Sequence, residues 1–209
     1  MAPHEHSDGR RVRGQQRYEL LLDTALDLVR RNGLPALTIR AVATAAGVSL
    51  ASITYHFATR DDLIAATCAE AMRRDVSDTQ RFIDTLRAET TPGSVTAEEL
   101  ADRCLAQIYD ADGWALIMLS LYLECVRRPE LAALAEQWNR ELLDLTTAAL
   151  TELGASQPRP TAELLLATLD GLRLPALAQQ TSIPHRPGHD SLTLLFSWIL
   201  DRDRGTSTT

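Results

Sequence analysis

Residues 38–63 read TIRAVATAAGVSLASITYHFATRDDL. Thr38 offers its hydroxyl as the cap of a short helix over residues 39–46, which Gly47 ends. Ser49 caps a second short helix over residues 50–56. Glycine accepts the positive φ that so tight a bend requires. Val48 is apolar inside the turn and can pin the two helices together. Ala41, Val42, Ala45 and Ala46 are small enough for close helix–helix approach, and Ile53 and Phe57 lie four apart on one face, free to dock on a preceding helix. This is the layout of a helix-turn-helix, whose second helix is shaped to enter the major groove of DNA. Thr59 with Asp62 then makes a capping box with Asp in the place usual for Glu or Gln. Asp61 and Asp62 suit the positive end of the helix that follows.

Toward the N-terminus, apolar residues at Leu21, Leu22, Ala25, Leu28 and Val29 predict a helix over residues 17–31. Asn32 and Gly33 stop it and Pro35 breaks the chain. Residues 1–16 are polar and read as a flexible arm. Toward the C-terminus the helix after Thr59 extends to about Ala88, and residues 90–94 form a loop. Another helix covers about residues 98–110, and Asp112 with Gly113 makes a turn. Residues 114–126 are apolar nearly all round, as in a buried central helix. Pro129 opens the next helix, which Gly154 ends, and residues 157–160 form a proline-containing linker. A leucine-rich helix covers residues 161–180 with Pro175 as a kink. Residues 182–189 are a loop, and Asp190 caps a last helix that ends near Arg202. No segment reads as a strand and no repeat is visible. The expectation is an all-α chain of about nine helices.

The 209 residues are 45% hydrophobic and 23% charged, enough to build a core in an ordinary globular protein. No run approaches the ~18 consecutive apolar residues of a membrane span. The N-terminus lacks the apolar segment of a secretory signal. Three cysteines, Cys68, Cys104 and Cys125, are too widely spaced for a disulfide framework and fit a reducing cytoplasm. All 21 basic residues are arginine, and they are unevenly placed. Residues 1–60 hold 8 Arg against 5 acids, a net of +3, and the remainder holds 13 against 23, a net of −10. A basic head on an acidic body suits a small polyanion-binding module.

The elements Thr38-Ile39-Arg40, Val42-Ala43, Ala46-Gly47-Val48-Ser49, Tyr55-His56-Phe57, Arg60 and Leu63 occur in an order that resembles the TetR family of transcriptional repressors. The resemblance covers residues 17–64 with specific motifs, and the rest of the chain in length and helical pattern. It implies an N-terminal three-helix DNA-binding domain over residues 17–60 behind the arm. A ligand-binding and dimerisation domain would follow over residues 61–203, with a flexible tail over 204–209. Three positions depart from the family's usual pattern. Thr54 stands where Tyr is usual, Ala51 where Gly is frequent, and Arg60 where a phosphate-contacting Lys is expected. Either Thr54 or Tyr55 then carries the usual phosphate contact.

Residue chemistry assigns roles within this frame. Thr38, Ser49, Ser52, Thr54 and Tyr55 offer hydroxyls to phosphate and Arg60 adds charge. Arg40 can read guanine through paired hydrogen bonds, and Leu50 and Ala51 can touch thymine methyl groups. Arg10, Arg11 and Arg13 can track phosphates or enter a minor groove. The second short helix has no Arg, Asn or Gln, so specificity leans on Arg40, His56 and DNA shape. Each has a plainer reading as well: Thr38 and Ser49 cap helices whether or not DNA binds, His56 packs, and the arm arginines are solvated.

For a small-molecule inducer or co-repressor the candidates are Trp114, Met118, Leu121, Tyr122, Glu124, Trp138, Asp170 and Arg173, a mostly apolar set with a few polar groups. The aromatics suit a core equally well, and Glu124 with Arg128, or Asp170 with Arg173, has the spacing of an ion pair. Leu165, Leu169, Leu172, Leu194, Leu195 and Trp198 form two apolar faces that a homodimer can join as a four-helix bundle, or that pack within one subunit. No cofactor or metal is expected; His4 and His6 lack further ligands nearby. The resulting expectation is a cytoplasmic homodimer with no membrane association, binding a palindromic double-stranded DNA operator and released from it by a ligand. The alternatives are an all-helical enzyme or an adaptor without DNA binding. The sequence has no nucleophile elbow, phosphate loop, dinucleotide fingerprint or zinc-protease motif.

Overall fold

The computed structural model describes residues 5–89, 95–108, 114–179 and 185–201. Within these, the side chains of residues 5–11, 174–179, 185–187 and 201 are left undescribed. Among the described residues there are nine α-helices, two single 3-10 turns and no strand. The helices are α1 (Glu5–Asn32), α2 (Ile39–Ala45), α3 (Leu50–His56), α4 (Arg60–Glu89), α5 (Ala97–Ile108), α6 (Trp114–Arg127), α7 (Ala132–Glu152), α8 (Pro158–Gln179) and α9 (His185–Asp201). The 3-10 turns are Leu34–Ala36 and Pro129–Leu131. None of these helices is long and apolar enough to cross a membrane. The expected loop at 90–94, the turn at Asp112 and Gly113, and the tail lie outside the described residues.

The chain divides into two compact units. The first comprises Met1–Arg73 and Leu116–Leu134, and the second Arg74–Ala115 and Ala135–Thr209. In the first, α1 packs on the 3-10 turn and on α2, and α2 packs on α3. Their shared interior buries Leu21, Leu22, Ala25, Val29, Leu37, Val42, Ile53 and Phe57. The local signals act as read. Thr38 Oγ1 accepts from Ala41 N at 3.1 Å, and Ser49 Oγ from Ser52 N at 3.2 Å. Gly47 has φ 66°, and the Val48 amide donates to the Ala43 carbonyl at 3.0 Å across the turn. Thr59 and Asp62 form the reciprocal capping box, at 2.9 and 3.1 Å. Arg128 joins Asp61 at 2.7 Å and Glu124 at 2.5 Å, tying the start of α4 to the end of α6.

In the second unit, α5 lies along α9. Leu100, Leu105, Leu150, Leu165, Leu192, Phe196 and Ile199 form the buried cluster between the helices. A second capping box, Thr96 with Glu99, opens α5 at 2.9 and 3.1 Å.

Three expectations need correction. Residues 5–16 belong to α1 rather than to an arm without structure. No proline interrupts them, and Gln15 donates to Glu19 one turn on at 2.9 Å. The linker at 157–160 is largely the first turn of α8. Pro158 stands at a position whose amide would have no helical partner, and Thr161 N already bonds Gln157 O at 3.1 Å. Asp190 lies inside α9 instead of capping it, because the helix starts at His185 and admits Pro187 in its first turn.

Candidate nucleic-acid interface and ligand cavity

The helix-turn-helix presents one exposed surface. Its inner side is closed: Ile53 and Phe57 are buried, and the Phe57 ring lies 5.4 Å from that of Tyr18 on α1. On the outer side Arg40, Leu50 and Ala51 are exposed, and Tyr55 is 86% exposed. The structure assigns Arg40 no partner among the described residues, so its guanidinium keeps its full set of donors. Arg13 is exposed on α1. Arg10 and Arg11 fall within the same helix, but their side chains lie outside the described residues.

The hydroxyls differ in what they have left to give. Thr38 and Ser49 accept a backbone N–H as caps and still carry a hydroxyl proton to donate. The Thr54 hydroxyl donates back along its own helix, to Leu50 O at 2.9 Å and Ala51 O at 3.3 Å. The Ser52 hydroxyl accepts from Arg17 Nη1 at 3.0 Å. Arg17 thus sets a positive charge beside α3. In the sequence Arg17 marks only a helix start, and its place at the foot of a basic segment is the signal that points to this role. Arg60 is largely occupied: Nε donates to Leu37 O at 2.8 Å and Nη2 to Leu34 O at 3.3 Å, holding the turn before α2. His56 is half-buried among Tyr18, Tyr55 and Phe57, with ring separations of 5.7, 5.1 and 6.3 Å. Burial first, then the Arg17 charge, holds its imidazole below the ordinary value, which favours the neutral ring.

The second unit encloses a cavity of about 160 Å³. Its wall is mostly apolar, with Phe82, Leu100, Leu142, Leu165, Leu169 and Phe196 in it. Trp138, Asp170 and Arg173 line it, as three of the eight ligand candidates. Arg173 Nη1 also pairs with Asp170 Oδ1 at 3.3 Å. Trp114 is not in the lining, but its indole N–H donates to Asp75, which is. Met118 and Leu121 are buried in the first unit, on the one face of α6 that also buries Ile117 and Cys125. Leu116, Leu123 and Val126 of the same helix are exposed, so it is not buried all round as its sequence suggests. Glu124 is engaged by Arg128, and Tyr122, in the same unit, is likewise outside the lining.

Asp75 is the residue that sequence reasoning missed. It sits in the charged run 73–78, which reads as a solvated face. The signal is its register: Asp75, Thr79, Phe82, Ile83 and Leu86 recur at helical spacing and all line the cavity.

The leucine faces divide. Leu165 is 6% exposed and lines the cavity with Leu169, while Leu172 and Leu195 pack against the buried cluster. They serve the subunit's own interior. Leu194 and Trp198 on α9, together with Leu164 on α8, stay exposed, at 74%, 44% and 50%.

Comparison with known proteins agrees with this geometry. Residues 21–67 match the model described as bacterial regulatory proteins, tetR family, and residues 95–202 that of the Tetracyclin repressor-like C-terminal domain. The chain is similar to the HTH-type nicotine-responsive transcriptional repressor HdnoR of Paenarthrobacter nicotinovorans. The two are 25% identical over 191 residues, which is 87% of this chain and 94% of the relative. Among solved structures it is similar to the multidrug binding protein EbrR complexed with ethidium, with a TM-score of 0.66 and 30% identity over 86% of this chain and 98% of that one. A tetR-family member from Streptomyces coelicolor A3 gives a TM-score of 0.66 and 30% identity over 86% and 97%.

Proposed function

The chain belongs to the TetR family of transcriptional regulators, and from that premise we propose a homodimeric repressor that grips a palindromic operator with α3 and releases it when a small organic molecule fills the cavity of the second unit. The observation that carries the DNA-binding half is the two-sided helix-turn-helix. Ile53 and Phe57 are spent on the core, while Arg40, Leu50, Ala51 and Tyr55 are presented outward. Arg40 reads a guanine edge, and Thr38, Ser49 and Tyr55 donate to phosphates. Tyr55 rather than Thr54 takes the phosphate role, because the Thr54 hydroxyl proton is already given to the helix. Arg10, Arg11, Arg13 and Arg17 add sequence-independent attraction. Such a protein works where the DNA is, in the cytoplasm, and needs no catalytic step.

The ligand half rests on the cavity. HdnoR is named for its response to nicotine and EbrR for multidrug binding. By that analogy, a small organic molecule is assigned to this chain's cavity, whose volume is close to the ~150 Å³ of an engineered cavity that holds benzene. α4 carries both the capping box at its start and the cavity-lining residues farther along, so a shift of this helix links ligand to operator. Linkage requires each to weaken the other's binding by the same factor.

Selection of bound duplexes from a random pool tests the reading. It should return an inverted repeat with half-sites about one helical turn or a multiple apart. On the selected duplex Tyr55→Phe should cost about 1.5–3 kcal/mol per lost phosphate bond, and Thr54→Val about 0.5 kcal/mol or less. Recovery of no enriched sequence would refute the operator-binding reading. A larger loss from Thr54→Val would reverse the assignment of the phosphate contact.

A further inference from the structure

The cavity wall is mostly apolar, yet α4 sets a carboxylate into it. Asp75 is half-buried, and two indoles hold it from opposite oxygens. Trp114 Nε1 donates to Oδ1 at 3.4 Å and Trp138 Nε1 to Oδ2 at 3.1 Å. Neutral N–H donors orient a carboxylate without cancelling its charge. Among the described lining residues the cation is Arg173, and its Nη1 is turned to Asp170. Two carboxylates thus face one guanidinium, and the lining carries a net negative charge. Burial pushes the Asp75 carboxyl up from its ordinary value, while the Arg173 charge and the two indole bonds draw it back. Holding an anion in such surroundings is costly unless a cation joins it.

Resting on the assignment of this cavity as the ligand site, we propose that it selects an organic cation, an amine or quaternary ammonium on an apolar body, with Asp75 as its counter-ion. Trp138 lines the cavity as well as holding Asp75, which brings an aromatic ring close to the bound charge. The apolar body lies against Phe82, Leu142 and Phe196. Arg173 Nε–H is buried without an acceptor among the described residues, and offers one hydrogen bond to a polar atom of the same ligand. An anionic ligand would instead have to approach two carboxylates to reach one guanidinium.

The test uses two probes of one shape, phenyltrimethylammonium and the uncharged tert-butylbenzene, titrated calorimetrically into the full-length protein and into Asp75→Asn. The wild type should bind the cation about tenfold more tightly or better. Asp75→Asn keeps an acceptor for an indole N–H. It should lower affinity for the cation by about tenfold or more and leave the hydrocarbon within about twofold, erasing the preference. If the hydrocarbon binds the wild type as well as the cation does, or if Asp75→Asn keeps the preference, the cation inference falls and the cavity assignment stands. If neither probe binds the wild type, both fall. The wild-type comparison does not depend on how well the variant folds.

Discussion

Phe57→Ala is expected to destabilise the protein by about 3–5 kcal/mol, the usual cost of emptying a buried aromatic site. Phe57 is 2% exposed, its ring lies 5.4 Å from that of Tyr18, and its amide closes α3 onto Ile53 O at 2.9 Å. The side chain joins α1 to the end of α3, so the cavity left by Ala opens where the reading helix is anchored. Domains of ordinary stability have only about 5–15 kcal/mol in total. Denaturant unfolding followed by circular dichroism should show the lower midpoint, and operator binding should fall with it. A variant as stable as the parent would mean that α3 is held by something other than this ring.

The second large effect is expected at the exposed apolar face of α9. Leu194 and Trp198 are four residues apart and point away from the face that buries Leu192, Phe196 and Ile199. Leu164 on α8 is exposed as well. If these side chains meet their copies across a two-fold axis, Leu194→Glu with Trp198→Glu places carboxylates in an apolar seam and should convert the dimer to a monomer in sedimentation. Helicity should persist, because neither side chain contributes to the buried cluster of its own subunit. Operator affinity should then drop by about 10²–10⁴-fold, since two half-sites are no longer engaged as one ligand. A double variant that remains dimeric would move the subunit interface elsewhere.

The helix-turn-helix was legible from sequence because its signals are local. A cap, a glycine at positive φ and an i,i+4 pair of apolar residues act within one or two turns, so Thr38, Gly47, Ser49, Ile53 and Phe57 are found where their chemistry puts them. The body was legible only as helices. Apolar periodicity says that α8 and α9 each have faces to bury, but not which partner covers them. Leu165 and Leu194 therefore read alike in sequence, and the structure separates them as interior and exterior. In sequence the prolines at 157–160 and 182–189 read as breaks. Pro158 and Pro187 instead stand in first turns, where the missing amide is harmless. Asp75 was hidden for a different reason. Its role depends on Trp114 and Trp138, 39 and 63 residues away, which no local pattern connects to it.

The most direct test of the account is fluorescence anisotropy with the duplex from the intergenic region upstream of the protein's own coding sequence, against a scrambled duplex, at low and high salt. Specific binding should exceed non-specific binding by about a hundredfold or more and weaken steeply with salt as phosphate contacts are screened. Arg40→Ala should remove most of the preference while leaving the salt-dependent background. Absence of binding to either duplex, even at low salt, would contradict the account at its centre. The exposed face of α2 and α3 would then need a partner other than DNA.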